Sequence, residues 1–231
     1  MIFPTKKVQD IRDLFIEEYL NKRFIKDKTG CNVIELLDVQ FIADESYIFG
    51  LPNEDYIKRE LKWYMSQSLN VNDLEKTPKI WKAVADKDGF INSNYGYLVF
   101  NEENYSQYDN CLKELRNNPE SRRACMIYNR PKIWEDYNKN GMSDFICTFA
   151  TQYFVRDKKL ITSVKMRSND AWAGYRNDKA FQDFITNKLS NDLNIEIGYT
   201  IWNVSSLHLY ENNFLLIDEY LKTLNETSYI N

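Results

Sequence analysis

Hydrophobic positions follow helical spacing in some segments of the chain and strand spacing in others. Val8, Ile11 and Phe15 recur every three or four residues. This spacing predicts an amphipathic helix over residues 8–23. Apolar and polar side chains alternate over residues 160–167 instead, which predicts a strand.

The same two spacings predict the remaining helices and strands. Further helices are expected at about 54–68, 103–117, 178–193 and 213–224. Further strands are expected at about 32–43, 122–129, 144–155 and 195–210, with an irregular stretch over 70–100. Because helices and strands do not alternate strictly, the order favours an α+β or mixed-sheet fold over a doubly wound one.

Composition is that of a globular protein with a substantial core. The length of 231 residues predicts a single domain over residues 1–231, and a content of 43% hydrophobic and 15% aromatic residues is ample for its core. Seven glycines and five prolines are too few for linkers or repeats. No apolar run is long enough to span a membrane or to act as a signal peptide, so a cytoplasmic protein is expected.

Charge and cysteine content narrow the classes of function. The net charge of -4 provides no basic stripe, so nucleic-acid binding is not expected, although a small phosphate needs only a few cations. The four cysteines, Cys31, Cys111, Cys125 and Cys147, lie far apart, and His208 is the single histidine. We therefore expect neither a metal site nor a disulfide framework.

Cys147 is a candidate nucleophile, although an inert buried cysteine is the commoner case. Arg167 and Ser168 lie on the strand that a hairpin pairs with the expected Cys147 strand. A guanidinium there lowers the pKa of a thiol and can also hold a phosphate. Arg122 and Arg123 form a second basic pair, but strand alternation sends them to opposite faces unless the backbone is irregular there.

Other polar residues have both an ordinary and a functional interpretation. Glu60 is either an exposed helical carboxylate or a proton-transfer group whose pKa an aromatic pocket raises. Asp178 is in position to cap the helix that starts at Lys179. Lys28, in a turn, and His208, in a strand, are by themselves typical of surface and structural roles.

Taken in order, these residues resemble the thymidylate synthase superfamily over residues 27–210. The residues that carry the resemblance are Lys28-Thr29-Gly30, Glu60, Ile80-Trp81, Tyr95-Gly96, Ser121-Arg122-Arg123, Cys147, Gln152, Arg167-Ser168, Asp170, Gly174, Asp178, His208 and Tyr210. The closer resemblance is to the phage-type deoxycytidylate hydroxymethylase branch. The segments that carry it are Asp27–Gly30, Asn92–Gly96, Gly141–Phe145 and Met166–Asp170.

This resemblance implies a large twisted mixed β-sheet with flanking helices, and a homodimer that packs through the sheet face. Arg122 and Arg123 would then reach into the partner's site, which would reconcile the pair with a shared ligand. The remaining implied roles are phosphate binding by Lys28, Arg167 and Ser168, sugar binding by His208 and Tyr210, and folate binding by Ile80, Trp81 and Asp170, with Glu60 on the folate side.

Two departures from the synthase pattern lie at the candidate site, and one of them concerns the base. Thr148 follows Cys147 where synthases have histidine, and Asp178 stands where they have asparagine. A carboxylate only accepts hydrogen bonds, so Asp178 suits the cytosine amino group and a protonated N3, and repels uracil O4. The C-terminal Ser228–Asn231 does not resemble the synthase tail that closes over folate.

The resemblance and the departures together imply a reaction with dCMP and 5,10-methylenetetrahydrofolate, without a metal. Cys147 would add to C6 and Asp178 would stabilise the adduct. Tyr95 or water would accept the C5 proton, and Glu60 would activate the water that adds at the end. The expected products are 5-hydroxymethyl-dCMP and tetrahydrofolate, made in the cytoplasm of an infected bacterium if a phage encodes the chain.

Alternatives remain within and outside the enzyme class. One is a methylase or hydroxymethylase that acts on dUMP or on the ribonucleotide CMP. The other is a non-catalytic protein that keeps the nucleotide pocket. Asp178 argues against the uracil versions, and the presence of Cys147 argues against a binding protein.

Overall fold

The structure is a computed structural model that describes residues 5–228, with side chains described as far as residue 224. The chain divides into two compact units. The first unit contains the chain up to Pro52, Met166–Ala180 and the chain from Tyr199. The second unit contains Asn53–Lys165 and Phe181–Gly198. The expectation of one catalytic domain over residues 1–231 stays a prediction.

Helices and strands are interspersed along the described chain. The helices are α1 (Val8–Leu20), α2 (Glu54–Ser66), α3 (Lys79–Val84), α4 (Tyr95–Phe100), α5 (Gln107–Asn117), α6 (Ile133–Asp136), α7 (Ala173–Leu193) and α8 (Leu215–Ser228). The strands are β1 (Ile25–Lys26), β2 (Asn32–Ile42), β3 (Cys125–Ile127), β4 (Thr148–Arg156), β5 (Lys159–Met166), β6 (Asn169–Asp170) and β7 (Glu196–Tyr210).

The strands form a mixed sheet in the order β1-β2-β7-β5-β4-β3, and β6 pairs with β7 off this path. Strand β7 is antiparallel to β2, where His208 faces Glu35, and parallel to β6, where His208 faces Asp170. Both kinds of pairing therefore occur in one sheet. The predicted α+β class with a large mixed sheet and flanking helices is confirmed.

Helix α7 begins five residues before the position expected from the sequence. The Asp170 carboxylate accepts hydrogen bonds from the backbone N–H groups of Trp172 (3.0 Å) and Ala173 (3.3 Å). The Ala173 N–H opens α7 and the Trp172 N–H directly precedes it, so the Asp170 side chain caps the start of the helix. The alternative that Asp178 caps a helix starting at Lys179 is wrong, because Asp178 lies inside α7.

Other strand and helix boundaries also differ from those expected from the sequence, at positions that concern the candidate site. Strand β3 is shorter than the expected 122–129, so Arg122 and Arg123 precede it on irregular backbone. Strand β4 starts after Cys147 rather than before it. The stretch 70–100 contains the short helices α3 and α4, and only the first residue of Ser228–Asn231 is within the described chain.

In the first unit, a buried arginine ties α1 to the chain after β2. Arg12 is only 3% exposed. Its guanidinium donates to both carboxylate oxygens of Glu45 (2.8 and 2.7 Å) and to the carbonyl oxygens of Tyr47 and Ile48. A charge this deeply buried is tolerated because its donors are met by acceptors.

In the second unit, aromatic side chains pack where α2 meets α4. The Tyr64 and Tyr95 rings stack with centroids 5.6 Å apart, and Phe181 packs edge-on against Tyr64 at 5.2 Å. The helices approach closely because Gly96 has no side chain. A Cβ at this position would lie 1.8 Å from the carbonyl oxygen of Tyr64.

We predict that Gly96→Ala lowers the free energy of unfolding by more than about 3 kcal/mol, because neither backbone can yield without moving a helix. Urea unfolding measures this loss. The matched control is Gly30→Ala, where φ is +86° but nothing lies within 4 Å of the added Cβ. Backbone strain alone should cost about 1 kcal/mol there. Equal losses in the two variants would contradict the close-approach explanation.

Candidate active site

Cys147 is half-buried and lies immediately before β4. Its Sγ is 3.8 Å from the carbonyl oxygen of Phe145. The next residue, Thr148, is buried and its hydroxyl donates to the phenol oxygen of Tyr95 at 3.0 Å. The structure thus brings the candidate proton acceptor Tyr95 to the residue that follows the candidate nucleophile.

A buried carboxylate fastens the chain before Tyr95 to the chain before Cys147. Asp144 accepts hydrogen bonds from the backbone N–H groups of Asn92 (2.7 Å) and Ser93 (2.8 Å) and from the Ser93 hydroxyl (2.7 Å). Three donors compensate a carboxylate that is 7% exposed. Both segments were part of the sequence resemblance, but this contact was not predicted.

Glu60 is buried in α2 and is met by two donors on one oxygen. The Tyr56 hydroxyl donates to Glu60 Oε1, and the Trp81 indole N–H lies 3.2 Å from the same atom. The indole N–H also donates to the Tyr56 oxygen at 2.9 Å. Tyr56 was missed by the sequence analysis, although its spacing of four residues from Glu60 on a helix is a recognisable signal.

Burial raises the pKa of Glu60 to about 7, and the hydrogen bonds from Tyr56 and Trp81 offset part of that rise. A carboxyl group with this pKa can both accept and release a proton near neutral pH. The exposed-carboxylate interpretation of Glu60 is wrong, because the side chain lies among aromatic rings and is 4% exposed.

Ile80 and Trp81 are adjacent in α3 but differ in environment. Ile80 is 66% exposed. Trp81 is half-buried and its ring packs edge-on against Trp63 at 5.3 Å. An exposed apolar side chain beside an indole offers a surface to a flat heteroaromatic ring. Their folate-binding roles stay predictions.

Asp178 is half-buried on the first part of α7, in the first unit. The Asn169 side-chain amide donates to its Oδ2 at 2.7 Å. Asn169 was not singled out by the sequence analysis. The two residues are nine positions apart and meet only because the chain turns between β6 and α7, so no spacing rule predicts the contact.

The predicted phosphate and sugar residues of the first unit lie on β7 and on the segment after β5. Arg167 and Ser168 follow β5 directly and are half-buried. The His208 ring packs edge-on against Tyr210 with centroids 5.0 Å apart. Its Nδ1 is 3.4 Å from the Ser206 carbonyl oxygen, which orients the ring. Asp170, predicted for folate, uses both carboxylate oxygens to cap α7.

Lys28 is exposed in the turn between β1 and β2. Asp27 organises this turn, because its Oδ1 accepts from the Thr29 hydroxyl and N–H (both 2.7 Å) and from the Cys31 N–H (3.0 Å). The hydrogen bond from the Thr29 hydroxyl is the main cause that lowers the pKa of Asp27. A fixed turn presents the Lys28 side chain to solvent.

Arg122 and Arg123 are both exposed and lie on irregular backbone. Arg123 pairs with Glu114 at 2.9 Å, and the Gln152 side chain donates to the Arg122 carbonyl oxygen at 2.8 Å. The strand-alternation objection to a shared ligand therefore does not apply. Whether the pair serves a partner's site stays a prediction.

The predicted site residues fall into one group in each unit. The group in the first unit is Lys28, Arg167, Ser168, Asp170, Asp178, His208 and Tyr210; the group in the second unit is Glu60, Ile80, Trp81, Tyr95, Arg122, Arg123 and Cys147.

Within residues 5–224, no cluster of three or more His, Cys, Asp or Glu side chains is arranged to hold a metal ion. No described helix has the length and apolar character needed to cross a bilayer.

Sequence comparisons place the chain in a family. The thymidylate synthase family model matches residues 52–228. The protein named deoxycytidylate 5-hydroxymethyltransferase from Enterobacteria phage T4 is 50% identical over 231 residues, which covers 96% of this chain and 94% of the phage protein. A thymidylate synthase from Bacillus subtilis subsp. natto is 31% identical over 207 residues, covering 84% of this chain and 72% of that protein.

Structural comparison agrees on the fold. The solved structure of thermostable thymidylate synthase A from Bacillus subtilis matches with a TM-score of 0.69 at 22% identity, over 94% of this chain and 84% of the other. The chain therefore belongs to the thymidylate synthase family, as its sequence predicted. Enzymes of this family use methylenetetrahydrofolate, so a nucleotide and a folate are the implied substrates.

We predict that Tyr56→Phe raises the pKa of Glu60 above about 7, because it removes a donor that favours the ionised carboxylate. A carbon-detected NMR titration of the glutamate carboxyl groups measures this shift. Trp81→Phe should move the pKa in the same direction, since it removes the second donor. Tyr97→Phe, which removes the hydroxyl bonded to Glu103, should leave it unchanged. An unmoved Glu60 titration in Tyr56→Phe would refute the donor role.

Proposed function

We propose that this chain transfers a one-carbon unit from 5,10-methylenetetrahydrofolate to C5 of dCMP and hydrates it, giving 5-hydroxymethyl-dCMP and tetrahydrofolate. The observation that carries the proposal is the 50% identity, over 96% of the chain, to the phage T4 protein named for this activity. The phage T2 protein of the same name is 49% identical over the same share. This activity is also the one that the sequence resemblance and the aspartate at position 178 together predicted.

Cys147 is the nucleophile of the proposal. Its sulfur forms a bond to C6 of cytosine, which makes C5 electron-rich and able to form a carbon–carbon bond. The half-buried position before β4 leaves the thiol partly accessible. The hydrogen bonds that Asp144 accepts hold the backbone before Cys147, and the Thr148–Tyr95 hydrogen bond holds it after Cys147. A fixed nucleophile loses less entropy on reaching the reactive geometry.

Asp178 selects the base. Its carboxylate accepts from the N4 amino group of cytosine and from N3 once that atom is protonated in the adduct. Uracil has the acceptor O4 in place of the amino group. Its O4 would therefore face the Asp178 carboxylate, which is also an acceptor. The cost of such an unpaired contact, on the order of 1–3 kcal/mol or more, is enough to reject dUMP by tenfold or more.

Tyr95 and Glu60 handle protons. Tyr95 or an ordered water accepts the C5 proton after the one-carbon unit has been attached. The electron pair of that C–H bond forms the exocyclic methylene double bond, and the bond between the methylene carbon and the folate nitrogen breaks, which releases tetrahydrofolate. Glu60 then takes a proton from the water that adds to the exocyclic methylene, a role its pKa of about 7 permits. When Cys147 leaves C6, the hydroxymethyl product is released. Folate supplies only the one-carbon unit, with Ile80, Trp81 and Asp170 as its proposed binding residues.

Binding of the nucleotide uses the cationic residues. Lys28, Arg167 and Ser168 hold the 5′-phosphate, and His208 and Tyr210 hold the sugar. A homodimer packed through its sheet faces supplies two further cations, Arg122 of the partner subunit and Arg123 of the partner subunit. One catalytic domain over residues 1–231 remains part of the proposal. The phage origin of the relatives supports action in the cytoplasm of an infected bacterium.

Mass analysis of the products tests the proposal. Incubation with dCMP and 5,10-methylenetetrahydrofolate should yield 5-hydroxymethyl-dCMP and tetrahydrofolate, with no dihydrofolate, and dUMP should be used poorly. A methylated product accompanied by dihydrofolate would make the chain a divergent synthase. No product with dCMP, dUMP or CMP would contradict the proposal and favour the non-catalytic nucleotide-binding protein.

We predict that Asp178→Asn shifts the ratio of kcat/KM for dCMP over dUMP toward dUMP by about tenfold or more, since an amide can donate to uracil O4. Steady-state kinetics with both nucleotides measure the ratio. Asp183→Asn makes the same chemical change further along α7 and should leave the ratio unaltered. A dCMP/dUMP ratio equal to that of the unmodified protein would rule out base reading by Asp178.

A further inference from the structure

Asn169 is a buried polar residue to which neither the sequence nor the family assigns a role. It is 3% exposed and lies in β6, whose parallel pairing with β7 fixes its backbone. Its amide meets two partners in the first unit. The nitrogen Nδ2 is 2.7 Å from Asp178 Oδ2, and the oxygen Oδ1 is 3.2 Å from the indole nitrogen of Trp202.

The Trp202 indole determines which end of the Asn169 amide faces Asp178. An indole N–H can only donate, so the Asn169 atom that faces Trp202 must be the carbonyl oxygen. The NH₂ group consequently faces Asp178 and can only donate to it. Trp202 is fully buried and its ring packs edge-on against Tyr175 at 5.3 Å, so the indole has little freedom to turn away.

A glycine preserves the space for this amide. A Cβ at Gly174, in the first turn of α7, would lie 3.0 Å from Asn169 Nδ2 and 3.2 Å from the Cβ of Asp170. Contacts that short force neighbouring atoms to shift. The glycine at this position is thus explained by the amide beside it, which is evidence independent of the hydrogen bonds.

The donor has a chemical consequence for Asp178. A hydrogen bond donated to a carboxylate oxygen stabilises the ionised form relative to the acid. An ionised Asp178 accepts only, whereas a protonated one has an O–H that could donate to uracil O4. The donor also limits rotation of the carboxylate, because turning it would break a charge-assisted hydrogen bond.

We propose that Asn169, oriented by Trp202, is a positioning residue that keeps Asp178 a fixed hydrogen-bond acceptor and so sets the preference for cytosine over uracil. This inference rests on the proposed base-reading role of Asp178. Base specificity then depends on three side chains in series, here called the relay: Trp202 orients Asn169, and Asn169 donates to Asp178. Only Asp178 touches the nucleotide.

The test is calorimetric binding of dCMP and dUMP to the full chain and to two variants. Asn169→Leu removes the donor with little change in volume, and Trp202→Phe removes the N–H that orients the amide. In both, dCMP should bind about tenfold more weakly, the fold-change of one lost charge-assisted hydrogen bond. Binding of dUMP should be unchanged or tighter. A merely structural defect would weaken both nucleotides alike.

Thr162→Val is the matched control. It removes a buried hydroxyl hydrogen bond to Thr186 (2.9 Å) in the second unit, so it should cost similar stability but leave the ratio of the two affinities unaltered. An unchanged ratio of dCMP affinity to dUMP affinity in both test variants would overturn the inference, including the case in which both affinities fall by the same factor. Binding needs no turnover. A chain that makes no hydroxymethylated product, yet prefers dCMP and loses that preference in Asn169→Leu, would contradict the proposed reaction and support the relay.

Discussion

A carboxylate removed from water must be met by donors, and the candidate site depends on this constraint. Two buried carboxylates, Glu60 and Asp144, and the half-buried Asp178 satisfy it, each within one compact unit. The donors are Tyr56 and Trp81 for Glu60, Asn92 and Ser93 for Asp144, and Asn169 for Asp178. Without these donors each carboxylate would lie unpaired away from water or turn toward solvent. With them, the position of an acidic side chain is fixed inside the protein.

The three pairings serve different ends. At Asp144 the hydrogen bonds are structural, since they join the segment before Tyr95 to the segment before Cys147. At Glu60 burial outweighs the donors and brings the pKa to about 7, a value suited to the proton transfer proposed for this group. At Asp178 the donor is the side-chain amide of Asn169, which we propose keeps the carboxylate an acceptor. In the proposed mechanism, stability, proton transfer and base choice thus use the same kind of contact with different balances of burial and donation.

Sequence patterns predicted the fold class and the family, and both are confirmed. Helical periodicity located α2 to within two residues because its buried face is continuous. It missed α4, whose six residues are too few to show a period. It placed the start of α7 at Asp178 because an aspartate before a helical pattern is typical of a cap; the cap is Asp170. The roles of the individual site residues stay predictions.

What the sequence could not provide were contacts between distant positions. Tyr56 was recoverable from its i, i+4 spacing to Glu60, but Asn169 and Trp202 are 33 positions apart and meet only across β6 and β7. Such contacts depend on strand register. Composition and periodicity describe which face is buried, and they do not specify which partner a buried amide meets.

The covalent role of Cys147 can be tested with 5-fluoro-dCMP and 5,10-methylenetetrahydrofolate. Fluorine at C5 cannot leave as a proton, so the reaction should stop with the sulfur still bonded to C6. Intact-protein and peptide mass spectrometry should find nucleotide and folate attached at Cys147, and nothing attached in Cys147→Ser. No adduct in the unmodified chain, or an adduct on Cys31, Cys111 or Cys125, would contradict the proposed mechanism.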